Sequence, residues 1–71
     1  MNEQEIIRAA MSSRNINQGE LAKLAGYNAQ SAISNKLYGK SMRVDTFVKL
    51  LSAMGFSVKV EGLGHEWELT G

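Results

Sequence analysis

Apolar positions along this chain recur at helical spacing four times and then change period. Ile6, Ile7, Ala10 and Met11 form the first stripe, running to about Arg14, with Asn15 expected to end the helix. Asn2 followed by Glu5 has the spacing of a capping box, in which the Asn side chain accepts from an N-terminal amide and the Glu reaches back. Asn17 and Glu20 repeat that spacing before Leu21, Ala22, Leu24 and Ala25, which read as one apolar face closed by Gly26. Asn28 is then expected to cap a third helix, about Ala29–Leu37, with Ala29, Ile33 and Leu37 pointing inward. Gly39 reads as the left-handed residue that closes it. Val44, Phe47, Val48, Leu51 and Met54 give a fourth stripe, ended by Gly55.

Beyond Gly55 the period becomes two. Phe56, Val58 and Val60 alternate with Ser57, Lys59 and Glu61. The segment Glu61-Gly62-Leu63-Gly64 reads as a turn, and His65 to Thr70 alternates again with Trp67 and Leu69 on one side. The pattern therefore predicts a mostly α fold. A compact four-helix helix-turn-helix domain at residues 1–55 is followed by a C-terminal β-hairpin at residues 56–71.

The third helix carries the candidate chemistry. Ser31, Ser34, Asn35 and Tyr38 share the face opposite its apolar one, and Gln30 stands at its start. That face is uncharged and rich in groups that both donate and accept hydrogen bonds, whereas a merely solvated helix face usually carries Lys and Glu. Such a face suits the edges of bases in a major groove, where an amide pairs with adenine N6 and N7. The candidate base contacts are Gln30, Ser31, Ser34 and Asn35.

Gln18, Glu20-Leu21-Ala22, Gly26, Gln30-Ser31, Ile33 and Leu37-Tyr38-Gly39-Lys40 resemble the lambda-type repressor and Cro family over about residues 5–60. The resemblance implies that Gln18 opens the first motif helix and binds the DNA backbone or an outer base. It implies that Gln30, Ser31, Ser34 and Asn35 face the major groove, and that Lys40 and Arg43 hold phosphates. Lys36, at the end of the same helix, joins them as a candidate phosphate contact. From Gly26 to Ile33 the chain has one residue more than the common pattern, so Tyr27-Asn28-Ala29 lengthens the turn.

Charge supports this reading only once its distribution is counted. The net charge is +1, yet Asn17 to Arg43 holds Lys23, Lys36, Lys40 and Arg43 against Glu20 alone. The tail from Glu61 holds Glu61, Glu66 and Glu68 and no cation. Arg8 and Arg14 read as solvated, with phosphate contact the lesser alternative. With one histidine and no cysteine, neither a catalytic triad nor a metal cluster is expected. No cofactor, small-molecule substrate or membrane span is expected either, and the absence of cysteine suits a reducing cytoplasm.

The expected function is thus sequence-specific binding of double-stranded DNA, as a phage- or prophage-type repressor on a palindromic operator. A homodimer is expected, because one helix reads few base pairs and a small domain with few cations binds weakly at cellular salt. Its interface is assigned to Val58, Val60, Trp67 and Leu69, since a lone two-stranded hairpin is barely stable in water. The alternative is an antitoxin-like module that binds a toxin protein and regulates its own operon, with the tryptophan and the acidic tail as the contact surface.

Overall fold

The computed structural model describes residues 1–70. In chain order it contains α1 (Glu3–Arg14), α2 (Gln18–Ala25), α3 (Gln30–Leu37), α4 (Val44–Ala53), β1 (Val58–Gly62) and β2 (His65–Leu69). Both capping boxes form. Asn2 Oδ1 accepts from the Glu5 amide at 2.8 Å, and Asn17 Oδ1 accepts from the Glu20 amide at 2.8 Å. Each Glu carboxylate returns the bond to the backbone of its cap.

Three of the helices also end alike. Asn15, Gly26 and Gly55 take φ of 54°, 80° and 88°, turning the chain left-handed after α1, α2 and α4. The next residue then donates its amide back across the last turn: Ile16 to Met11, Tyr27 to Ala22 and Phe56 to Leu51, at 2.8–2.9 Å. These bonds occupy carbonyls that a helix end otherwise leaves free. Ile16 and Tyr27 follow the turn with a side chain packed on the core.

The exception is α3. Asn28 does not cap it; the cap position belongs to Ala29, which is exposed and makes no side-chain hydrogen bond. Nor does Gly39 close it in a left-handed turn, because Tyr38 ends the helix at φ −96° and Gly39 has no positive φ. Its last carbonyls are taken instead by α1. Gln4 Nε2 donates to the Lys36 carbonyl at 3.5 Å and an Arg8 guanidinium nitrogen donates to the Leu37 carbonyl at 3.4 Å.

The core lies where the four helices meet. Ile7, Leu21, Ile33 and Leu50 are fully enclosed, with Met54 at 1% exposure. Leu50 widens the α4 face beyond the stripe read from the sequence. Three expected core positions fall outside: Ala29, at the cap of α3 rather than within it, is exposed, Leu24 is 55% exposed and Val44, the first residue of α4, is 65% exposed. For Leu24 the reason is angular. At about 100° per residue, Leu21, Ala25 and Ala22 fill one sector of α2 and Leu24 lies roughly 60° beyond its edge.

β1 and β2 pair antiparallel with Val58 opposite Leu69, Val60 opposite Trp67 and Gly62 opposite His65. The loop is therefore only Leu63-Gly64, shorter than the four-residue turn expected. Both residues have positive φ, 53° and 77°, the requirement of the tight hairpin turn whose twist matches its strands. Val58, Val60, Trp67 and Leu69 share one face by this register, and Lys59, Glu61, Glu66 and Glu68 share the other. Of these, Val58 packs on the helical core. Trp67 is 61% exposed, so it is not enclosed within this chain.

No helix among the described residues is long and apolar enough to cross a membrane.

Candidate functional site

The first turns of α2 and α3 lie side by side. Ser34 Oγ donates to Gln18 Oε1, which ties the middle of α3 to the start of α2. This bond leaves the Gln18 amide N–H groups free to donate outward. A Cβ built on Gly19 would stand 3.5 Å from Gln30 Oε1, an ordinary contact distance, so the Gln30 side chain lies over the first turn of α2. Gln18, Gln30 and Ser34 are thus gathered at one corner, and all are uncharged.

Ser31 and Asn35 continue that surface along α3, and both are exposed. Ser34 is half-buried and already spends its hydroxyl proton, unlike its exposed neighbours. Its hydroxyl fixes Gln18 Oε1 and keeps a lone pair unused. Behind this face Ile33 and Leu37 are buried, which fixes the rotation of α3 about its own axis.

Arg8, expected to be solvated, is exposed and also does two jobs at the far end of α3. Besides its bond to the Leu37 carbonyl, its guanidinium lies over the Tyr38 ring, 5.3 Å from the centroid. A cation near the last carbonyls of a helix also matches the sign of the helix dipole there. Gln4, its partner in this end cap, is 5% exposed although polar. The sequence carried a signal for the pair: Gln4, Ile7, Arg8 and Met11 fall on one side of α1.

The candidate phosphate residues separate into three settings. Lys40 is exposed in the loop after α3. Arg43 stands at the cap position of α4 with its Nε 3.2 Å from Asp45 Oδ1, both side chains largely in solvent. An ion pair so exposed contributes little and yields readily to another anion. Lys36 turns away from the Gln18 corner, and its Nζ lies 4.9 Å from the centroid of Tyr27. The same ring receives Lys49 Nζ at 4.4 Å. Tyr27 and Lys49 were absent from the residues chosen by sequence. Tyr27 follows the helix-closing Gly26, the position where a side chain commonly packs back, but nothing local relates it to Lys49.

The four residues assigned to an interface lie in the hairpin. Val60, Trp67 and Leu69 are 49%, 61% and 40% exposed, and Val58 is half-buried at the root. His65 stacks on Trp67 with centroids 5.2 Å apart and planes 6° from parallel, extending the flat apolar surface. At the hairpin root a groove lined by Ile6, Ala9, Leu51 and Phe56 opens on the helical bundle.

No family model matches the chain, no curated protein matches it, and no solved structure matches it.

Proposed function

We propose that this chain is a sequence-specific double-stranded DNA-binding transcriptional regulator, a repressor of the lambda repressor and Cro kind acting in the bacterial cytoplasm. The observation that carries the reading is the exposed, uncharged face of α3, with Gln30, Ser31 and Asn35 free and the helix fixed by its buried side. A short helix packed over a preceding helix across a tight turn presents such a face to the major groove. Gln18, Lys36, Lys40 and Arg43 flank it and serve as backbone contacts, which orient the protein without reading sequence.

Gln30 is the residue to test. An amide at the start of the inserted helix makes a bidentate pair with adenine, and its loss removes discrimination of about 1–3 kcal/mol. Gln30→Ala is expected to weaken binding to the preferred duplex by that amount and to leave random duplex binding nearly unchanged. Fluorescence anisotropy on both duplexes measures this. Equal losses on the two would remove Gln30 from the reading face.

The regulator works as a homodimer in this proposal, with Val58, Val60, Trp67 and Leu69 of two copies packed face to face. Two copies then present two α3 helices to half-sites about 34 Å apart, one turn of DNA. The exposure of Trp67, Val60 and Leu69 supports this, as do the two unpaired strand edges of the hairpin. The same exposure, with Glu61, Glu66 and Glu68 on the opposite face, favours a second reading: an antitoxin whose hairpin holds a toxin protein. Self-association of the pure chain separates the two, because a toxin-binding face stays unpaired when the toxin is missing.

A further inference from the structure

The lengthened turn between α2 and α3 builds a feature that the reading face does not use. Tyr27 is anchored twice: its amide donates to the Ala22 carbonyl at 2.8 Å, and its ring packs against the core. On that ring converge two ammonium groups from different helices, Lys36 from α3 and Lys49 from α4, each within 5 Å of the centroid. Neither lysine has a carboxylate within ion-pairing distance among the described residues; the ion pairs present there are Arg43 with Asp45 and Lys59 with Glu66. The nearby Asp45 is engaged by Arg43.

Two like charges drawn to one aromatic ring, neither of them in an ion pair, form a place for an anion. Its location narrows the choice of anion. Asn35, Lys36, Arg43 and Thr46 line one shallow concavity, and Tyr27, Asp45, Thr46 and Lys49 line the next, where the Asp45 carboxylate is held by Arg43. The surface therefore runs without a break from the exposed face of α3, past Thr46, to Lys49 on α4.

We propose that Lys36 and Lys49, aligned by Tyr27, clamp the phosphodiester backbone of a DNA strand beside the groove that α3 enters. This inference rests on the DNA-binding reading and adds Lys49 to the backbone contacts proposed above, pairing it with Lys36. Tyr27, in the lengthened turn, supplies the ring that both ammonium groups approach. The bland alternative is that the lysine stems only cover the ring while their charges stay in water. The two differ in one measurable respect: a clamp releases counterions from DNA and a solvated lysine does not.

The test is the salt dependence of binding by the full chain to its preferred duplex and to a random duplex. Lys49 is exposed, so Lys49→Gln leaves the core intact. Each phosphate neutralised adds about 0.9 to the slope of log affinity against log salt. Lys49→Gln is expected to lower that slope by about one on both duplexes, with equal fold losses in affinity. Tyr27→Phe is expected to behave as the unaltered chain, because the ring rather than the hydroxyl aligns the cations. A Lys49→Gln slope equal to that of the unaltered chain overturns the clamp. If Gln30→Ala still loses discrimination in that case, the DNA-binding reading stands without it. If the unaltered, folded chain binds neither duplex, both fall together.

Discussion

Leu21, Ile33 and Leu50 are fully enclosed among the four helices, while Trp67, Val60 and Leu63 of the hairpin stand largely in solvent. Both regions carry regular apolar patterns, at period 3.6 in one and period 2 in the other. The helical pattern closes on itself because four stripes face a common axis. The hairpin has one apolar face, of which Val58 packs on the helical core. An amphipathic pattern therefore states that a face needs covering without stating what covers it. In the bundle the cover is the same chain; for the hairpin it is the partner proposed above.

The comparison is broken most forcefully by cutting into each region. Leu50→Ala leaves a cavity in the core and is expected to cost about 2–5 kcal/mol, a large part of the stability of a domain this small. Trp67→Ala in dilute, monomeric protein is expected to cost under about 1 kcal/mol, because the ring is 61% exposed there. Urea denaturation followed by circular dichroism measures both. Losses of similar size at low concentration would mean that the hairpin is part of the core after all.

Concentration sharpens the contrast. Replacing Val60 and Trp67 together by Lys puts two charges on the proposed interface while leaving the helices untouched. Sedimentation equilibrium is expected to show a dimer for the unaltered chain and a dissociation constant raised at least about tenfold for the variant, which is about 1.4 kcal/mol. A variant that associates as tightly as the unaltered chain would move the interface elsewhere, with α4 the next surface to test.

The smallest expected effect is at the hairpin tip. Leu63 is fully exposed and holds φ 53°, a conformation that disfavours a branched side chain. Leu63→Asn is expected to stabilise the hairpin by about 1 kcal/mol, since Asn tolerates this region and Leu gains nothing from burial. Slower hydrogen exchange of the Val60 and Trp67 amides would register it. Unchanged exchange in the hairpin would show that the turn does not limit its opening.

How much of this was legible in the sequence depends on distance along the chain. The capping boxes at Asn2 and Asn17 and the left-handed ends at Asn15, Gly26 and Gly55 involve neighbours within a few residues, and their residue types announce them. The ends of α3 were misread because they break that local grammar: Ala29 rather than Asn28 precedes it, and Gln4 and Arg8 from α1 finish it. Leu24 shows the limit of an apolar stripe, since a helix buries a sector and an apolar residue outside it stays exposed. The uncharged face of α3 was legible from spacing alone. Its tie to Gln18 through Ser34 and the meeting of Lys36 with Lys49 on Tyr27 required the packing of three helices, which no local pattern encodes.

Whether the face of α3 reads DNA is decided by selection from a random duplex pool. The purified full chain is incubated with the pool at moderate salt, and the bound molecules are sequenced over successive rounds. The expected result is enrichment of a two-fold symmetric site whose half-sites lie about one helical turn apart, with the enrichment lost for Gln30→Ala. A folded chain that returns the pool unenriched would contradict it.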